Sequence, residues 1–298
     1  MPYPRGESGT DETAGGREAP AGARVPRQAD RDRGEASRPT LRISLLGPMT
    51  ARIGGAEVDL GAPQQQAILA VLLLQNGSYV SVRQLIDAVW GNSVTATAEK
   101  TVRTYVYRLR EAFGRRGEEW RSVITSVGGG YTTALPAGAI DVDGFVDAAG
   151  AARQARRAGE HAAVVEHLRR GLSLWRGNGA LSGIPGEFAE RMRTHLQELR
   201  LSSLEMHLSA QLSLGMVDSV VAEVSALIAE YPLDERFRAL FMIALYQNNR
   251  RAEALLTYHE ARELLQKKLG VDTGEELRKA YTQILQDDIC AAFPQYCL

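Results

Sequence analysis

The sequence predicts a mainly α protein with small β elements, made of two parts: a helix-turn-helix that ends in a β-hairpin wing, then an all-α region of tetratricopeptide type. Three observations predict it. Residues 41–135 interleave short β-like runs with three helical patterns and finish as strand, glycine turn, strand. From about Asp141 onward the periodicity is almost entirely helical, with breaks at Gly159, Gly177–Gly179, Gly183–Gly186, Gly215, Pro232, Asn248-Asn249 and Gly270. The longest apolar runs, such as "AILAVLLL", fall far short of the ~20 residues needed to cross a bilayer.

Residues 1–39 are rich in Gly, Ala, Arg, Glu and Asp and hold almost no large apolar side chain. Such a segment cannot bury enough surface to offset its chain entropy and reads as a disordered tail. "LRISLLG" is a short apolar strand stopped by Gly47-Pro48, and in "MTARIGGAEVDL" Gly54-Gly55 marks a hairpin between two β-like runs. In "APQQQAILAVLLLQNGSYV" Pro63 suits a first helical turn, Ile68, Leu69 and Leu72 keep helical spacing, and Asn76-Gly77 ends the helix. In "VSVRQLIDAVWGN" Ser81 can cap, Leu85, Ile86 and Val89 form the stripe, and Gly91 stops it. Thr97 can cap a third helix, and "RSVITSVGGGYTTAL" then reads as a hairpin. Helix, turn, helix and hairpin is the plan of a winged helix-turn-helix. Beyond it, helices near 141–157, 160–174, 187–214, 218–230, 234–247, 251–268 and 274–286 are expected to pair as a solenoid, although the roughly 34-residue repeat of the tetratricopeptide class is not visible. The chain thus divides into a tail at 1–39, a winged helix at 40–136, a helical domain at 140–290 and a second tail at 291–298.

The 298 residues are 44% hydrophobic and 24% charged, ordinary for a soluble globular protein. Residues 41–135 hold ten basic and seven acidic residues, whereas 136–298 hold 18 and 22. An anionic partner would therefore meet the first part. Cys290 and Cys297 are too few for a disulfide framework, and the N-terminus lacks an apolar signal segment, so a reducing cytoplasm is expected. Enzyme classes find no support. Gly128-Gly129-Gly130 lacks the Gly-Lys-Ser/Thr of a phosphate loop. The five histidines, at 161, 167, 195, 207 and 259, do not group with Cys, Asp or Glu at metal-ligand spacing. Glu275-Glu276 opens a helix, where acids suit the positive end of the dipole, and Asp287-Asp288 closes one. Trp175 in "LSLWRG" reads as a packing anchor. No metal or cofactor is expected.

The third helix carries the functional signal, in "EKTVRTYVYRLREAF" (99–113). On a helical wheel Val102, Val106, Leu109 and Phe113 fall within about 60° of one another, with Tyr105 at their border. Lys100, Thr101, Thr104, Tyr107, Arg108 and Glu111 lie opposite, and Arg103 and Arg110 sit on a flank. From Thr97 to Arg116 six residues are basic and two acidic. Such a helix can dock its stripe on the two preceding helices and offer its outer face to a DNA major groove. There Arg can grip guanine edges, Thr can touch a thymine methyl and Lys can hold a phosphate.

"VSVRQLIDAVWG", "EKTVRTYVYRLREAF" and "ITSVGGGYTTAL" together resemble the OmpR-type winged helix. "DVDGFVDAAGAARQA", "LSLWRGNGAL" and the run from "YPLDERFRALF" to "GEELRKAYTQIL" resemble the bacterial transcriptional activation domain. In this order, over about residues 41–288, the chain resembles the Streptomyces antibiotic regulatory proteins (SARP), the AfsR/DnrI/RedD family. That resemblance implies an activator of a secondary-metabolite (antibiotic) gene cluster. It also implies binding to direct repeats of double-stranded DNA near promoters, as a homodimer of side-by-side protomers that recruits RNA polymerase holoenzyme with its sigma factor. Carried onto this sequence, DNA contacts fall on Lys100, Thr101, Arg103, Thr104, Tyr105, Tyr107, Arg108 and Arg110. Arg83 is a phosphate contact, and the hairpin tip Gly128, Gly129 and Gly130 approaches the minor groove.

The sequence departs from that pattern in places. Many OmpR-type wings carry Arg where Gly128 stands, which leaves this wing only backbone N–H groups. Gln64-Gln65-Gln66 stands where a basic residue is common. Asn248-Asn249 replaces a Gly-Arg turn, but Asn tolerates the left-handed conformation. No receiver domain is expected before the winged helix and no nucleotide-binding domain after residue 298, which suits the short form of the family. Two other readings stand beside this one: a tetratricopeptide-like interaction adaptor whose first part only dimerises, and a one-component regulator whose helical part senses a small ligand.

Overall fold

A computed structural model describes residues 40–75, 77–91, 97–177 and 179–288. The expectations for both tails, Asn76, Asn178, Cys290 and Cys297 lie outside the described residues. Strands β1 (Leu41–Ser44), β2 (Thr50–Ile53) and β3 (Ala56–Val58) form an antiparallel sheet in that order. Gly54 and Gly55 turn β2 into β3 at φ 56° and 85°, values that glycine adopts without a Cβ clash. Helix α1 (Pro63–Leu74) has proline in its first turn and buries every residue from Ala67 to Leu73. Strand β4 (Val80–Ser81) leads into α2 (Val82–Trp90), which starts on a full capping box. The Ser81 hydroxyl accepts the Gln84 N–H at 3.2 Å, and Gln84 Oε1 accepts the Ser81 N–H at 2.9 Å.

Helix α3 (Ala98–Gly114) follows. The Thr97 side chain does not cap it, because φ −101° and ψ 3° at that residue are not the extended conformation that aims an N-cap oxygen at the first turn. A 3₁₀ turn (Glu118–Val123), invisible in the sequence pattern, joins α3 to β5 (Ile124–Val127) and β6 (Gly130–Thr133), and the second sheet runs β4-β6-β5. Seven helices complete the described chain: α4 (Asp141–Arg157), α5 (His161–Leu172), α6 (Glu187–Ser213), α7 (Val217–Glu230), α8 (Glu235–Gln247), α9 (Arg251–Leu269) and α10 (Glu275–Gln286). Each packs on the next. Asn249 takes φ 57°, as the turn requires.

The hydrophobic core does not divide between residues 136 and 140. One cluster runs from Leu41 through α1, α2 and α3, across Ile140, Val142 and Phe145, to Leu181, Ile184, Ala189 and Leu196. A second joins Leu201, Leu208 and Leu212 to α7, α8, α9 and α10. Helix α6 is therefore a spine, its first half packed on the winged helix and its second half on the solenoid. Trp175 is the anchor expected of it, edge-on to Phe145 at 5.4 Å.

Hydrogen bonds follow the same seam. An edge strand such as β1 leaves one row of backbone groups to be satisfied. Ile43 N–H donates to Ala139 O at 2.7 Å, while the carbonyls of Leu46 and Leu45 accept from the N–H groups of Arg176 at 2.7 Å and Leu181 at 2.8 Å. The Asp141 carboxylate accepts the N–H groups of Leu45 at 2.7 Å and Leu46 at 3.2 Å. Burial pushes that carboxyl above the usual aspartate value, against the pull of both N–H groups and of Arg176. Gly186, at φ 105°, lets the start of α6 touch α2: a Cβ there would lie 2.6 Å from the Ala88 carbonyl oxygen.

His207, buried on α6, supplies a pH prediction. Burial holds its imidazole below the usual histidine value, although Glu223 pulls the other way. The unfolded chain accepts a proton that the folded one refuses, so stability is lost as pH falls below ~6.5 and through the depressed folded value. His207→Gln should flatten this limb in a series of thermal melts. Parallel melting curves for the two proteins across pH 7.5 to 5.5 would place the limb elsewhere.

Candidate nucleic-acid interface

Helix α3 buries Val102, Val106, Leu109 and Phe113, none more than 1% exposed. They dock on α1 and α2 and turn the opposite side outward. On that side Lys100, Arg103, Tyr107 and Arg108 are exposed, Tyr107 by 63%, and the helical domain does not cover them. Thr101 and Thr104 are half-buried. Their hydroxyls donate to Thr97 O at 3.1 Å and Lys100 O at 2.9 Å, which leaves their methyl groups for an outside contact.

The acids of this helix are held aside. Arg121 in the 3₁₀ turn pairs with Glu111 at 3.2 Å. Arg103 meets Glu99 at 3.8 Å in an exposed pair that costs little to open. Lys100 and Arg108 have no ion-pair partner among the described residues. Arg83, at the start of α2, is 92% exposed and only loosely associated with Asp87 at 4.0 Å.

Three expected contacts are placed differently. Arg110 turns to the hairpin: its Nε donates to Ile124 O and its Nη2 to Ser126 Oγ, both at 2.9 Å, and its guanidinium lies 5.7 Å from the Tyr131 ring. Tyr105 faces α1, half-buried, and its hydroxyl donates to Gln64 Oε1 at 3.3 Å. Gly130 is not at the tip but buried in β6, paired with Val127 and Ser81. Arg110 and Tyr105 are held by partners distant in sequence, and Gly130 by its strand pairing with both neighbours. The tip itself is Gly128–Gly129, at φ 50° and 86°, exposed as expected. Tyr79 was not among the expected contacts; its hydroxyl donates to Gly128 O at 3.3 Å, across a separation of 49 residues that no local pattern signals.

Among the described residues there is no group of His, Cys, Asp and Glu that could hold a metal ion, and no helix is long and apolar enough to cross a membrane. A cleft of about 330 Å³ lies between α1, α2 and the start of α6, lined in part by Val71, Val80, Asp87, Phe188 and Arg191, at the small end of ligand sites.

Residues 55–133 match the family described as transcriptional regulatory protein, C terminal, and residues 140–285 match the bacterial transcriptional activator domain. The chain is 42% identical over 249 residues to the regulatory protein AfsR of Streptomyces coelicolor, covering 83% of this chain and 24% of that one. It is 30% identical over 253 residues to the regulatory protein DnrI of Streptomyces peucetius, covering 83% of this chain and 93% of DnrI. The solved structure of Mycobacterium tuberculosis EmbR in complex with a low-affinity phosphopeptide superposes with a TM-score of 0.78 at 31% identity, over 84% of this chain and 66% of that one. The chain thus spans about a quarter of the length of AfsR and most of DnrI.

Proposed function

The chain belongs to the Streptomyces antibiotic regulatory protein family of transcriptional regulators, and from that premise we propose that it is a sequence-specific activator that lays α3 in the major groove of its operator. The observation that supports this most is the outer face of α3, where Lys100, Arg103, Tyr107 and Arg108 stand open to solvent. A major groove about 12 Å wide admits one such helix. Arg108 then reads a guanine edge, Thr101 and Thr104 offer methyl groups, and Lys100 and Arg83 hold phosphates. Two protomers lie side by side on direct repeats about one helical turn, ~10–11 bp, apart. The helical domain meets RNA polymerase with its sigma factor, in the cytoplasm, at promoters of a secondary-metabolite cluster. Because α3 and α6 share one core, the polymerase-facing surface is held at a fixed place relative to the operator.

Two measurements test this reading. The wild-type chain should select repeated sites from a randomised duplex pool and bind them with an affinity that falls steeply with salt. A folded chain that selects no duplex returns the question to the interaction-adaptor reading. On the selected duplex, Arg108→Ala should weaken binding by about 1–3 kcal/mol without changing the melting temperature. Unchanged affinity removes Arg108 from the interface.

A further inference from the structure

We propose that Tyr79 is a wing-positioning residue: it grips the Gly128 carbonyl from the protein side and so aims the Gly129 N–H outward, at a DNA backbone phosphate. The proposal rests on the DNA-binding reading above and adds a residue and a mode of contact to it.

The tip carries no side chain. At Gly128 and Gly129 a Cβ would meet nothing within 4 Å, so the protein's own packing leaves the tip bare. The two residues sit in the left-handed conformation of a two-residue hairpin turn, whose central N–H groups are not used by the ladder. A bare turn can bond to phosphate only through these N–H groups, and they help only if they point the right way. A C=O left pointing outward would repel the same phosphate.

The direction is set from outside the hairpin. Arg110 ties β5 to α3 through Ile124 O and Ser126 Oγ, each at 2.9 Å. Tyr79 works at the other end. Its hydroxyl donates to Gly128 O at 3.3 Å. Its ring lies over Gly130, where a Cβ would come within 2.7 Å of the ring carbons and would also strike the Val80 carbonyl. Gly130 is thus explained by contacts inside the protein, and the flat ring is what the missing side chain accommodates. In a trans peptide the C=O and the following N–H point in opposite directions. Holding the Gly128 carbonyl toward β4 therefore turns the Gly129 N–H away from the protein. Tyr79 is itself 49% exposed, so its ring is not a core element.

The test compares the wild-type chain with Tyr79→Phe and Tyr79→Ala on the duplex that the wild type selects. Ethylation interference reads phosphate contacts, and methylation protection at guanine N7 reads the major groove. Tyr79→Ala should lose the interference signal at the wing phosphate and bind on the order of tenfold more weakly, with guanine protections retained. Tyr79→Phe keeps the ring but not the hydroxyl, and should weaken the same phosphate signal alone. Should Tyr79→Ala melt early, the Phe variant decides by the same signal. An unchanged phosphate pattern in both variants overturns the proposal, as does a loss spread evenly over phosphates and guanines, which marks a merely structural role. If the wild type itself binds no duplex, both readings fall, and the failure is seen before any variant is compared.

Discussion

Phe145→Ala should destabilise the folded chain by about 3–5 kcal/mol, the range for deleting a large buried ring. Phe145 is fully buried on α4. Its ring stands edge-on to Trp175 at 5.4 Å and an interplanar angle of 89°, a geometry that contributes beyond buried area alone. Gly171 lets α5 pack close to the ring, since a Cβ there would lie 3.3 Å from Phe145 Cδ2 and 2.8 Å from Ala148 Cβ. The consequence reaches outside the helical domain. Phe145 belongs to the cluster that continues through Ile43, Leu69 and Leu109 of the winged helix. Denaturant unfolding should therefore shift its midpoint with little change in slope, and amides of α1 should exchange faster together with those of α4. If α1 keeps its wild-type protection while α4 loses it, the two parts do not share a core.

Leu109→Ala should cost about 2–5 kcal/mol, as a buried leucine deletion that leaves a cavity. Leu109 is fully buried, whereas Arg108, one position earlier and about 100° around the helix, is exposed. The two substitutions should separate cleanly. Leu109→Ala lowers the melting temperature and leaves the outward side chains in place; Arg108→Ala leaves melting alone and weakens DNA binding. A Leu109→Ala protein that melts like wild type would mean that α3 is rotated about its axis, and the interface built on its outer face would be lost.

Much of the molecule was legible because its causes are local. The α3 stripe needs only helical spacing. The α2 cap needs Ser81 and Gln84, three residues apart, and the glycine turns at 54–55 and 128–129 need only residues free to take positive φ. The helix bounds beyond Asp141 agree with the sequence reading to within a residue or two, since Gly, Pro or Asn stands at each break between them. The 3₁₀ turn at 118–123 was not legible, because nothing in "GEEWRSV" separates a tight turn from the start of a strand.

By itself the sequence determined which face of α3 is apolar and which is basic, and that a helical array follows the winged helix, because amphipathic period and turn chemistry act over a few residues. The tertiary structure alone decided what each polar group on that face is used for. On a wheel Tyr105 borders the apolar stripe and Arg110 sits on a flank, and only the fold shows that Gln64, Ile124 O and Ser126 hold them. Only folding could place the Asp141 carboxylate on Leu45 N–H, 96 residues away, or lay Tyr79 against a turn 49 residues further on. The physical reason is the same throughout: a side chain's rotamer and partners are set by whatever the rest of the chain brings within about 3 Å of it, and that distance is not written in the spacing of neighbouring residues.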